Sequence, residues 1–118
     1  MPHYSNVGHT ETRYIKVDQT TLHAYQTLFD IPLSQEIPLL FFARYWCDFT
    51  LFQSFIETEI MLVETVLKEA EKLFCYETIK ASLTYKSVQQ VKNFEQFQFE
   101  LVLNDNNVIQ QTFIRRDS

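Results

Sequence analysis

Apolar and polar positions alternate with a period of two in several stretches of the chain. In the last third, Phe97, Phe99, Leu101 and Leu103 alternate with Gln98, Glu100 and Val102. The alternation predicts a strand over 94–103 with one face on a core. Val108 to Arg115 alternates again. Between the two, Asn104-Asp105-Asn106-Asn107 supplies a turn, because Asn and Asp tolerate left-handed backbone where no glycine is present. The two runs therefore read as a terminal hairpin. Ile79, Ala81, Leu83 and Tyr85 alternate with Lys80, Ser82 and Thr84 to give another strand. Thr12 to Val17, rich in β-favouring residues, is a candidate first strand.

The period changes to that of a helix in two places. Asp18 offers an N-cap to a short helix in which Leu22, Tyr25 and Phe29 share a face, and this helix should end before Pro32. Ser34 is placed to cap a second helix, with Gln35 and Glu36 in its first turn and Pro38 tolerated there. From Leu39 to Phe52 apolar side chains cover nearly the whole circumference, and Arg44 and Asp48 occupy the one polar stripe as an i, i+4 ion pair. A helix apolar all round must be buried all round, so something has to wrap it, and the strands are available to do so.

Residues 60–75 admit two readings. Val63, Val66, Leu67, Ala70, Leu73 and Phe74 recur with helical spacing. Alternation instead gives a strand through Ile60, Leu62, Val63, Thr65 and Leu67 to a turn at Lys68-Glu69-Ala70-Glu71, with a change of face near Val63.

Length and charge narrow the function classes. A chain of 118 residues allows one domain, read as 12–118 after a loose lead-in over 1–11. One glycine, Gly8, excludes a Walker loop and a GxGxxG fingerprint, both of which need several. The net charge of -5 provides no domain-wide field for nucleic acid. The apolar stretch 37–55 is interrupted by Arg44, Asp48 and Gln53, which makes it a core helix and no membrane span. Cys47 and Cys75 lie in apolar surroundings without CxxC spacing, and read as buried free thiols suited to a reducing cytoplasm. His3 and His9 have no partner at ligand spacing, so neither a metal nor a cofactor is expected. Arg115-Arg116 reads as a solvated basic pair.

A strand, a short helix, a long buried helix and then antiparallel strands resemble the hotdog fold, an α+β architecture in which a curved antiparallel sheet wraps one central helix. Within that fold, the order resembles the MaoC-like acyl dehydratase and hydratase family from about Thr12 onward, with Tyr25 to Ile37 in the place of the active-site motif. The resemblance favours strand, loop and strand for residues 57–85. It implies general acid-base chemistry on an acyl thioester carried by CoA or an acyl carrier protein, with an aspartate and a histidine holding a water between them. The family motif reads Asp, any residue, Asn, Pro, any residue, His. Here Asp30 matches the aspartate, Pro32 and Leu33 stand where Asn and Pro belong, and Gln35 replaces the histidine. Glutamine cannot shuttle a proton near neutral pH, and His23 lies seven residues before Asp30, outside the motif.

Asp30 and Gln35 are thus the candidate catalytic positions, and Asp30 reads equally as a turn or cap residue at a helix end. Leu39, Phe42 and Trp46 are the candidate lining of an acyl tunnel, although their helical spacing also assigns them to the core. Two functions remain open: an acyl-thioester-binding protein, active or catalytically degenerate, and a non-catalytic interaction module. Both predict a homodimer, since a small curved sheet leaves an edge strand unpaired.

Overall fold

The computed structural model describes residues 7–56 and 58–116. Strand β1 (Thr10–Lys16) is followed by helix α1 (Gln19–Leu28) and the two-residue strand β2 (Glu36–Ile37). A 3₁₀ helix (Leu39–Asp48) and helix α2 (Thr50–Ile56) come next, and then β3 (Ile60–Lys68), β4 (Leu73–Phe74), β5 (Thr78–Val91), β6 (Phe94–Leu103) and β7 (Asn107–Arg116). Five strands form an antiparallel sheet in the order β1-β5-β6-β7-β3, and β2 pairs with β4 apart from it. The sheet curves around the two helical pieces in the hotdog manner. His3 lies outside the described residues, and no described helix is long and apolar enough to cross a membrane.

The inner face of the sheet carries the alternating residues of the sequence pattern. Ile79, Ala81, Leu83, Tyr85, Phe97, Phe99, Leu101, Leu103 and Ile109 are all sealed from solvent. The β6–β7 hairpin turns at Asn104 and Asp105, both with positive φ (52° and 65°). Asn104 also accepts a hydrogen bond from the Lys80 N–H through Oδ1 at 2.9 Å, tying the turn to β5. Strand β1 begins at Thr10, two residues before the expected start, and the Gly8 N–H donates to the Tyr85 carbonyl at 2.7 Å. The ordered sheet therefore reaches into the segment read as a lead-in. In α1, the Asp18 carboxylate accepts the Thr21 N–H at 3.0 Å, the expected cap.

Residues 60–68 are strand, as the resemblance required and against the helical period. The change of face near Val63 is a register shift in the pairing with β7 between Leu62 and Glu64. The central helix is where the sequence placed it, but in two pieces, with Phe49 in extended backbone between them (φ -90°, ψ 128°). Trp46, Phe49, Phe52 and Phe55 recur every three residues and are spread over the 3₁₀ coil, the break at Phe49 and α2. All four are buried against the sheet or its flank. In that coil, residues four apart no longer stack, so Arg44 does not meet Asp48; its guanidinium lies over the Phe41 ring at 4.7 Å instead. The helix starts at Leu39 with Pro38 as its cap position, so Ser34, Gln35 and Glu36 precede it and form no first turn.

Two further expectations are corrected. Cys75 is buried, but Cys47 is exposed, because it lies on the outer side of the 3₁₀ helix. Arg115 is nearly enclosed, paired with Glu95 and lying over the Phe55 ring at 5.5 Å. The inward-facing register of β7 draws it under the sheet, and only Arg116 of the pair is exposed.

The break at Phe49 is held by a residue far away in sequence. Glu11 on β1 accepts the N–H groups of Leu51 at 2.7 Å and Thr50 at 3.1 Å, and pairs with Arg13 at 2.8 Å. It caps α2 from another element. Burial alone would raise its carboxyl pKa, but the N–H groups of Leu51 and Thr50 and the Arg13 guanidinium outweigh it and hold the pKa below the ordinary value. A depressed folded pKa stabilises the fold above the unfolded carboxylate pKa, and this is lost as pH falls through the folded value. Glu11→Gln is expected to cost about 1 kcal/mol at neutral pH and to flatten the acid limb of a urea-denaturation series. An unchanged acid limb in the variant would remove Glu11 from this role.

Candidate functional site

A cleft of about 690 Å³ opens where the loop after α1, the start of the 3₁₀ helix and the end of β3 converge. Ile31, Pro32, Pro38, Leu39, Leu40 and Leu67 form its apolar walls. Gln26, Ser34, Glu36 and Glu69 supply the polar groups. No histidine lines it, and the described residues contain no cluster of metal-ligating side chains.

Gln26, 1% exposed, organises the near wall. Its Nε2 donates to Ser34 Oγ and to the Glu36 carbonyl, each at 3.3 Å, and its Oε1 accepts the Ser34 N–H at 3.3 Å. One buried amide thus fastens the loop to α1. Strand β2 is held from the other side, where the Cys75 N–H donates to the Gln35 carbonyl at 3.0 Å and Lys72 reaches Glu36 Oε1 at 3.4 Å. Asn107, fully buried, fixes the far wall: its Oδ1 accepts the N–H groups of Ala70 (2.6 Å) and Glu71 (2.9 Å), next to Glu69. At the cleft floor, the 3₁₀ helix begins without a side-chain cap. Its first N–H groups, those of Leu39 and Leu40, belong to the positive end of the helix, and both residues line the cleft.

The sequence-derived positions distribute unevenly around this cleft. Leu39 lines it. Phe42 and Trp46 are buried in the core, at 0% and 5% exposure. Asp30 is exposed, in left-handed backbone (φ 57°) one residue before the cleft wall, and its N–H closes the end of α1 onto the Thr27 carbonyl at 3.2 Å. Gln35 is exposed too, with its side-chain oxygen 3.7 Å from the Cys75 thiol. Neither Asp30 nor Gln35 is part of the lining. Gln26 and Asn107 were missed. Gln26 had a signal, since it sits four residues after Leu22 on the buried stripe of α1, where a polar side chain needs partners.

A second groove, of about 680 Å³, runs between β1 and the break at Phe49. It is lined by Arg13, Tyr14, Ile15, Tyr45, Cys47, Asp48, Phe49 and Gln53. Burial raises the Tyr45 pKa, with the nearby Arg44 opposing and Asp48 and Asp18 reinforcing the rise, so its phenol stays protonated at neutral pH.

Residues 1–117 match the family described as "Uncharacterised conserved protein VraC". The chain belongs to the VraC family. Among VraC relatives, the Staphylococcus haemolyticus protein is 34% identical over 114 residues, covering 93% of this chain and 90% of its own length. A Staphylococcus epidermidis relative is 31% identical and covers 88% and 90%. In three dimensions this VraC-family fold is similar to the HadBC (3R)-hydroxyacyl-ACP dehydratase complex of Mycobacterium tuberculosis, with a TM-score of 0.74 at 12% identity over 92% of this chain and 96% of that one. It is similar to the (R)-hydratase of A. caviae involved in PHA biosynthesis, with a TM-score of 0.65 at 9% identity over 93% and 96%. HtdX of M. tuberculosis gives a TM-score of 0.75 at 12% identity, and the chain spans about half of that protein (51%). At these identities the likeness establishes the hotdog fold of the VraC chain.

Proposed function

We infer that this chain is a homodimeric, cytoplasmic acyl-thioester-binding protein that holds its ligand without hydrating it. The observation that supports this is the cleft of about 690 Å³ at an uncapped helix start, in a fold shared with an acyl dehydratase and a hydratase. The thioester carbonyl accepts from the N–H groups of the helix start, and the acyl chain follows the apolar wall past Leu39 and Leu67. The motif position of the family histidine holds Gln35, and the cleft offers two carboxylates, Glu36 and Glu69, with no imidazole beside them. A carboxylate can take a proton from water there, but Glu36 is engaged by Lys72, and the cleft lacks the imidazole that the MaoC-like family pairs with its carboxylate. The free thiols of Cys47 and Cys75 suit the reducing compartment.

Titration with crotonyl-CoA and longer trans-2-enoyl-CoAs tests the reading, with binding followed by calorimetry and hydration by loss of enoyl absorbance. Saturable binding without absorbance loss is expected. Turnover abolished by Asp30→Asn would instead make the chain a hydratase that works without the family histidine. Absence of both binding and turnover would leave an interaction module. Leu40, 44% exposed on the cleft wall, provides a check on location. Leu40→Trp is expected to weaken binding about tenfold or more by filling the cleft, with the melting temperature unchanged. Unaltered affinity in that variant would place the ligand elsewhere.

A further inference from the structure

The aromatic side chains inside the sheet are not sealed equally. Phe41, Phe42, Phe49, Phe55, Phe97 and Phe99 are at most 1% exposed, whereas Trp46 and Phe52 retain 5% and Phe113 retains 8%. These last three pack on one another, with ring centroids 5.6–6.3 Å apart. The residual access therefore runs along a single flank of the core. On that flank, Phe113 pairs with Leu62, Gln111 with Thr65, and Ile109 with Leu67. Leu62 and Leu67 are 48% and 45% exposed, so no other part of the described chain covers them, and Leu67 is also a wall of the cleft. A half-exposed strip thus runs along β3 from the cleft wall at Leu67, past the hydrogen-bonded Thr65–Gln111 pair, to Leu62 beside Phe113, whose ring packs on Trp46.

The path ends at a polar atom with nothing to bind. Trp46 Nε1 is buried and has no hydrogen-bond partner among the described residues. Its neighbours are the rings of Phe52, Phe99 and Phe113, which offer no oxygen acceptor. Buried N–H groups are almost always paired, so an orphan of this kind calls for an acceptor from outside the chain. A water needs two to four polar partners, and the three rings packed on Trp46 supply none. An oxygen carried in on an otherwise apolar ligand needs only this donor. Leu39 and Trp46 are seven residues apart on the 3₁₀ helix, about 14 Å at roughly 2.0 Å per residue.

We propose that Trp46 selects acyl chains bearing a hydroxyl or carbonyl oxygen far from the thioester, by donating its Nε1–H to that oxygen at the end of the path. The proposal rests on the acyl-thioester reading and adds the class of acyl group to it. A site built around a buried donor disfavours a ligand that leaves the donor unpaired, so the selectivity falls on the presence of the oxygen more than on chain length.

The test compares dodecanoyl-CoA with a series of dodecanoyl-CoAs carrying one hydroxyl on successive carbons of the distal half. Binding is measured by calorimetry and by the emission of Trp46, the chain's one tryptophan. One hydroxyl position is expected to bind about tenfold tighter than the unsubstituted chain and to shift the Trp46 emission to longer wavelength. In Trp46→Phe the ratio of the two affinities is expected to fall to about one. Equal affinities for all ligands in the unmodified protein would overturn the proposal while leaving acyl-thioester binding intact. Failure of every ligand to bind would overturn both.

Discussion

Phe55→Ala is expected to destabilise the protein by about 3–5 kcal/mol, a large share of the total stability of a domain this size. Phe55 is fully buried at the centre of the aromatic core. Its ring stacks on Phe97 at 4.3 Å and meets Tyr85 and Phe99 edge-on, each at 5.4 Å. It also forms the surface beneath the Arg115 guanidinium, which is paired with the buried Glu95. Truncation therefore leaves a cavity and removes the aromatic face from a poorly solvated cation, and the two effects have the same sign. The loss should appear as a fall of more than about 10 °C in melting temperature, with Phe55→Leu well short of that because most of the volume is retained. A fall of only two or three degrees for Phe55→Ala would mean that α2 is not seated in the core as described.

How much of this was legible in the sequence depended on whether the forces were local. The β6–β7 hairpin was readable because one sheet face is buried and the turn residues are the two types that accept positive φ, at Asn104 and Asp105. Strand β3 admitted a helical reading beside the strand because its side chains are exposed on both faces, so nothing forces apolar and polar residues to alternate. The split of the central helix was hidden for another reason. The carboxylate that caps α2 is Glu11, some 40 residues upstream, brought there only by the closing of the sheet. The candidate cleft was legible in part. The segment after α1 was identified, and Leu39 does line the cleft. Asp30 and Gln35 occupy the motif's end positions, but the motif sets only the place along the chain; Gln26 ties down Ser34 and the Glu36 carbonyl, and the Cys75 thiol meets the Gln35 side chain, contacts the motif does not contain.

Leu62→Lys combined with Leu67→Lys is expected to convert a dimer into a monomer while leaving the fold stable. Met61, Leu62, Val63, Val66 and Leu67 are between 37% and 63% exposed, all on one edge strand. A long apolar edge with unpaired backbone groups is a template for association unless something covers it. In the proposed homodimer, pairing with the β3 of a second copy would satisfy this edge and cover the flank beside Leu67 by one symmetric contact. In the isolated chain both lysines would stand in water, so they cost the fold little. At the interface the four lysines of the dimer must be desolvated, at about 2 kcal/mol or more each, which raises the dissociation constant by about five powers of ten or more. Sedimentation equilibrium at micromolar concentration should give twice 14.1 kDa for the unmodified chain and 14.1 kDa for the double variant. A single 14.1 kDa species for the unmodified chain would leave β3 without its second copy. The acyl path proposed along that same strand would then lack the wall that holds a ligand in place.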